Sequence, residues 1–96
     1  ESRLIVLLTH LLKWRYQPER RSRSWTLAIL EQRVQAQQLL SENPSLKPVI
    51  TDLMAAAYRS ARIRAARQTR LSMKAFPVEL PFTWDEAMAE PVGDGD

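Results

Sequence analysis

Apolar side chains recur along this chain at the three- and four-residue spacing of an α-helix. The first such segment covers residues 2–16, where five leucines fall on one face. Ile5 and Val6 widen that face, so we expect the first helix to be covered on more than one side. Pro18 ends the helix, because proline disfavours the helical conformation in the residue before it.

Two longer segments with the same periodicity follow, at residues 25–42 and 46–69. Thr83 and Glu86 then have the spacing of a capping box, which predicts a short helix that ends near residue 89. No stretch shows the two-residue alternation of a strand. The sequence therefore predicts an all-α fold, a small helical bundle of three main helices plus a short C-terminal helix.

Charge is distributed unevenly along the chain, whose net charge is +3. Residues 1–74 contain all 14 lysines and arginines and five acids, whereas residues 75–96 contain six acids and no base. This division predicts that the acidic segment folds back on the basic body, or that the body meets an acidic partner. We assign residues 1–89 to a single helical domain and residues 90–96 to a flexible acidic tail.

Composition argues against several classes of site. The chain has no cysteine, which rules out a disulfide framework and fits a cytoplasmic location. The apolar run at residues 4–12 is far shorter than the roughly 20 residues that cross a bilayer, so no membrane contact is predicted. His10 is the only histidine and has no acid three or four residues away. We predict no catalytic residue, no metal site, no cofactor and no small-molecule ligand, and an enzyme is the least expected function.

Arginines are concentrated between the first two helices and along the third. Arginine binds phosphate with two parallel hydrogen bonds, and neighbouring aromatic rings can stack on bases, which favours contact with nucleic acid. An acidic protein partner, or a structural corner in which arginines stack on Trp14 and Trp25, would use the same residues. The candidate contact residues are Arg20, Arg21, Arg23, Arg59, Arg62, Arg67 and Arg70.

Two further arginines, Arg15 and Arg64, lie on or beside the apolar faces of their helices. One interpretation is that the side chain extends along the apolar surface to reach water. The other is a buried or partly buried ion pair with a carboxylate elsewhere in the fold. The local pattern leaves both open.

Three blocks of the sequence resemble a bacterial family. They are LLTHLLKWRYQPERRSRSW at 7–25, AYRSAR at 57–62 and FPVELPFTWDE at 76–86, and they resemble the domain-of-unknown-function family number 29. The resemblance implies an all-helical domain with no assigned activity. It also implies a preceding acidic helical segment, so we expect this chain to be the C-terminal two-thirds of a longer domain. Arg70 departs from the family pattern, which has a helix-ending glycine there.

The missing segment would cover the second apolar side of the first helix, and without it that helix would expose leucine surface. Our first functional hypothesis is a small cytoplasmic bacterial module for protein interaction or assembly, with a protein partner or a homo-oligomer. This leucine surface and the basic surface would be its contacts. The alternative is a nucleic-acid-binding accessory protein that uses the arginine-rich surface.

Overall fold

A computed structural model describes residues 2–93 of the chain. Within them every element of regular secondary structure is a helix, and irregular segments connect the helices. The α-helices are α1 (Ser2–Tyr16), α2 (Arg23–Glu42), α3 (Ile50–Thr69) and α4 (Trp84–Ala89). Short 3₁₀-helices occupy Pro18–Arg20, Pro44–Val49 and Met73–Ala75. The predicted all-α fold of three main helices and a short C-terminal helix is confirmed.

The ends of the helices follow local chemistry. Ser22 caps α2 by accepting a hydrogen bond from the Trp25 amide at 3.3 Å. The predicted capping box is present at α4, where the Thr83 and Glu86 side chains each accept a hydrogen bond from the other residue's amide.

The third helix begins four residues later than predicted, at Ile50 instead of residue 46. Pro44 and Pro48 both lie in the preceding 3₁₀-helix. Pro48 has no amide hydrogen and disfavours the α conformation at Lys47. The α-helical hydrogen-bond pattern therefore starts only after the second proline.

The three long helices form one layer with α1 in the middle. α1 packs against both α2 and α3, whereas α2 and α3 hardly touch each other. The domain is correspondingly flat, with extents of 38 × 32 × 18 Å. The central position of α1 explains why all five of its leucines are 0–1% exposed. The exposed leucine surface expected on the first helix is therefore absent, and that prediction was wrong.

The segment after α3, residues 71–93, crosses one face of this layer, and we call it the strap. Its contacts follow chain order: the part around Phe76 is hydrogen-bonded to α3, Phe82 lies against Arg15 of α1, and Val92 is hydrogen-bonded to α2. The strap contributes four buried side chains of its own: Phe76, Phe82, Ala87 and Val92. The acidic C-terminal segment thus folds back on the basic body as far as residue 93.

The packed part of the domain extends beyond the predicted boundary at residue 89. Glu90 makes an ion pair, and Val92 is 1% exposed with its carbonyl accepting a 2.6 Å hydrogen bond from Thr26. Glu90 and Val92 are therefore held against the long helices. Residues 94–96 of the predicted tail lie outside the described residues.

Candidate functional site

A corner forms where α1 ends, α2 begins and α3 ends. The Arg21 guanidinium lies 4.7 Å from the centre of the Trp14 ring, and its Nε donates a 2.8 Å hydrogen bond to the Trp14 carbonyl. That carbonyl belongs to the last turn of α1, where carbonyl groups lack partners within the helix. Arg21 thus stabilises the corner, in line with the structural interpretation of the tryptophans.

A cavity of about 350 Å³ opens beside this corner, and we call it the corner cleft. Its lining comes from all three long helices and the first 3₁₀-helix: Lys13, Gln17, Arg20, Trp25, Gln68, Thr69 and Arg70. Three of these side chains are cationic, and none of these lining residues is acidic. Arg20 and Arg70, two of the predicted contact residues, are brought together here although 50 positions separate them.

Lys13 connects the three helices around the corner cleft. Its ammonium group lies 4.9 Å from the centre of the Trp25 ring and donates a 3.0 Å hydrogen bond to the Gln68 side chain. Burial lowers the pKa of Lys13 from its ordinary value. Lys13 was not among the predicted contact residues, although it lies next to Trp14 near the end of the first helix.

Arg70 ends α3 in a left-handed backbone conformation, with φ 63° and ψ 16°. Glycine adopts this conformation without the steric cost that other residues incur. Thr69 holds the helix end from inside, since its hydroxyl donates to the Ala65 carbonyl at 2.6 Å and accepts from the Leu71 amide at 3.3 Å. The family resemblance predicts glycine at this position. The backbone has the left-handed conformation that favours glycine, but the residue is an arginine whose side chain lines the cleft.

A family model described as "Domain of unknown function DUF29" matches residues 1–91. The chain belongs to the DUF29 family. No curated protein and no solved structure matches the chain. The resemblance predicted from the three sequence blocks is confirmed, and the remaining features below are those of a DUF29 domain.

Arg15 of this DUF29 domain makes a partly buried ion pair with Glu90 of the strap. One guanidinium nitrogen lies 2.9 Å from each carboxylate oxygen of Glu90, and the two side chains are 28% and 33% exposed. The guanidinium also lies 4.4 Å from the centre of the Phe82 ring. Its place on the leucine face of α1 directs it to the strap, which covers that face.

Arg33 makes the most buried arginine contact in the described residues, and sequence analysis missed it. It is 8% exposed, and it donates hydrogen bonds to the carbonyls of Ala87 at 2.8 Å and Glu90 at 2.6 Å. These carbonyls close the C-terminal end of α4, where cations are favoured. Arg33 lies four residues after the buried Ile29, so its place in an apolar stripe was an available signal.

Arg62, a predicted contact residue, is instead bound to the strap. Its guanidinium donates to the Met73 carbonyl at 2.8 Å and to the Phe76 carbonyl at 3.1 and 3.2 Å. Tyr58 supports the same turn, because its hydroxyl donates a 2.6 Å hydrogen bond to the Pro77 carbonyl. Burial raises the pKa of Tyr58 to about 12.

The remaining predicted residues do not form one surface. Arg59 lines a second cavity of about 250 Å³, together with Glu79 of the strap. Arg23 and Arg67 are exposed at the start of α2 and near the end of α3. Arg64 is also exposed, so the buried ion pairing considered for it does not occur, because the buried face of α3 passes through Ala61 and Ala65 instead.

α2 exposes an apolar stripe on the side away from α1. Leu27, Leu30 and Val34 are 43%, 38% and 54% exposed, and their spacing places them on one face. We call these three residues the α2 stripe. By helical spacing Leu30 and Val34 flank the core stripe of α2, but no other element of the described chain covers that side of the helix, so both stay exposed.

The single histidine contacts its own helix. The Nδ1 atom of His10 lies 2.9 Å from the Val6 carbonyl oxygen, one turn earlier in α1. No group of three metal-ligating side chains occurs within residues 2–93. In the same part of the chain, no helix has the length and apolar character needed to cross a membrane.

Proposed function

We propose that this DUF29 domain is an assembly module in which two copies of the chain pair through their α2 helices. The observation that carries the proposal is the α2 stripe, whose three apolar side chains lie at i, i+3 and i+7 on a helix that packs on one side only. Apolar anchors at this spacing are typical of helices that bind another helix. Burying them removes three exposed apolar side chains of one helix from water.

A second copy of the chain is the occupant that fits this stripe. In an antiparallel pair about a two-fold axis near Leu30, Leu27 of each copy faces Val34 of the other, and the two Leu30 side chains meet at the axis. The same register places Arg23 of one copy opposite Gln37 and Gln38 of the other, so exposed polar side chains flank the apolar contact.

The pairing we propose is weak and concentration-dependent. Fully burying a leucine or valine side chain contributes about 1.5–3 kcal/mol, and these three are already about half buried. An interface centred on one helix is also smaller than the roughly 1,600 Å² that stable complexes bury. Such a dimer would be controlled by local protein concentration.

Sedimentation equilibrium over a wide concentration range tests the pairing. We expect a reversible monomer–dimer equilibrium that Leu30→Glu abolishes. Val78→Glu, at a site on the strap that is 77% exposed, introduces the same charge and serves as the control. A wild-type chain that stays monomeric at millimolar concentration contradicts the proposal.

The absence of cysteine allows a geometric test of the same interface. Leu30→Cys lies at the proposed two-fold axis, so mild oxidation should join two chains at this position. Val78→Cys is more exposed but lies away from α2. Equal rates of dimer formation for the two variants would mean that random collision, and not pairing of α2, joins the chains.

A cytoplasmic location in a bacterium is part of the same proposal. It is supported by a chain that contains no cysteine and therefore depends on no disulfide. Fractionation of cells that produce the tagged full-length protein tests it. Recovery in the periplasmic or membrane fraction would contradict it.

A further inference from the structure

We propose that the corner cleft is a binding site for the phosphate groups of a nucleotide, either free or within a single strand of nucleic acid. The inference is independent of the α2 pairing, because the cleft lies at the ends of α1 and α3 and contains none of the α2 stripe. It rests on the charge, the size and the backbone of the cleft.

Charge is the first argument. Lys13, Arg20 and Arg70 reach the cleft from three separate elements of the fold. Within residues 2–93 none of them makes an ion pair, whereas Arg15 on the strap face is paired with Glu90. Three cations gathered in one concave site without a carboxylate create a positive potential that attracts an anion.

Shape and hydrogen-bonding capacity favour a nucleotide over a simple anion. A volume of about 350 Å³ lies within the range of small-molecule sites and exceeds what one phosphate group needs. The guanidinium groups of Arg20 and Arg70 can each bind a phosphate with two hydrogen bonds. Trp25 supplies the aromatic surface of the cleft on which a base can stack, and the Gln17 and Gln68 amides can bind base edges.

The backbone at Arg70 is the third argument, and it is separate from the first two. The left-handed conformation would be adopted by glycine without strain, yet this chain has an arginine there. Strained residues tend to occur where the side chain has a function that offsets the backbone cost. Here the left-handed residue, Arg70, contributes a cation to the lining of the cleft.

Binding can be measured with the wild-type chain and three probes: inorganic phosphate, AMP, and ten-nucleotide oligo(dT) or oligo(rU). Because the chain has three tryptophans, comparing the fluorescence of the wild type with that of Trp25→Phe isolates the Trp25 signal. The anisotropy of labelled oligonucleotides gives their affinity. If a single strand is the source of the phosphate, the oligonucleotides bind more tightly than AMP, and the log–log salt slope is about −2 for three contacts. If a free nucleotide is the source, AMP and the oligonucleotides bind equally.

Variants locate the binding. Arg20→Ala and Arg70→Gly should each weaken binding about tenfold, as expected for the loss of a hydrogen bond to a charged group. Arg67→Ala is the matched control, because it removes an exposed arginine of α3 that does not line the cleft, and its effect should stay below about twofold. Circular dichroism should show unchanged helicity for all three. Leu30→Glu should bind like the wild type, which separates this site from α2 pairing.

Three results would overturn the proposal. One is the absence of binding to every probe at low salt. Another is an Arg67→Ala effect as large as that of Arg70→Gly, which would mean diffuse attraction by the whole basic surface. The last is polyglutamate binding as tightly as the oligonucleotides, which would identify an acidic protein as the partner.

Discussion

The strap face and the corner cleft both use basic side chains of the long helices, but these side chains have different partners. On the strap face, Arg15, Arg33 and Arg62 each come from a different helix and bind carbonyl groups or a carboxylate of the strap. In the corner cleft, Arg20 and Arg70 face an open cavity without an acid. An arginine that satisfies backbone carbonyls stabilises the fold, whereas one that faces a cavity remains available for a ligand.

The comparison explains why the fourteen cations of this chain do not act as one basic surface. Arg62 and Arg21 looked like contact residues by sequence, yet both bind backbone carbonyls of their own chain. Of the seven predicted contact arginines, only Arg20 and Arg70 line the corner cleft. Substituting an arginine of the strap face should lower the free energy of unfolding, whereas substituting Arg70 of the corner cleft by glycine should not.

The largest effect is expected at Arg33. Arg33→Met keeps the aliphatic part of the side chain but leaves the Ala87 and Glu90 carbonyls without their buried donor. We expect the free energy of unfolding to fall by about 3 kcal/mol, because hydrogen bonds to charged groups contribute about 1.5–3 kcal/mol each and do not add fully.

Urea denaturation measures this change, with Arg67→Met as the control. Arg67 is exposed, so its substitution should change stability by less than about 0.5 kcal/mol. If the two substitutions have the same effect, the strap is not held by Arg33, and the distinction between the two regions fails there.

Tyr58 gives a pH-dependent test of the strap face. Because burial raises its pKa from 10.0 to about 12, the folded protein favours the neutral phenol. Its contribution to stability is therefore complete below about pH 10 and is lost as the pH rises from about 10 to about 12. The unfolding midpoint measured at several pH values should show this decline.

Tyr58→Phe provides the control for that measurement. It removes the hydroxyl that donates to the Pro77 carbonyl, so stability at neutral pH should fall by about 1 kcal/mol. The decline above pH 10 should become shallower, because the variant has no phenol at position 58 to ionise. An unchanged decline would show that Tyr58 does not report on the strap.

Local patterns predicted which helices form but not how they are arranged. The helical spacing of apolar residues predicted three long helices, although α3 starts four residues later than expected, and the capping box at Thr83 predicted α4. These features depend on residues that are close in sequence. Which face of α2 remains open depends on α1 and the strap, so the exposure of Leu30 and Val34 could not be read from periodicity.

The candidate site was predicted only in part, for the same physical reason. Arg20 and Arg70 were selected from composition, but their meeting in one cleft is a long-range contact that the end of α3 and the corner at Pro18 create together. Arg33 had the local signal of an arginine in an apolar stripe. Its partners lie 54 and 57 residues away, and only the crossing of the strap brings them together.

The smallest and most discriminating effect is expected at Arg70. Arg70→Gly removes a cation of the corner cleft and also the steric cost of the left-handed conformation, although glycine adds entropy to the unfolded chain. We expect a net gain of about 0.5 kcal/mol in the free energy of unfolding, measured by urea denaturation, in contrast with the loss at Arg33. Arg70→Ala is the control, because it removes the same charge but retains the strain, and it should not stabilise the domain. If glycine destabilises the domain as much as alanine does, the Arg70 side chain contributes to the fold, and the cleft arginines belong with those of the strap face.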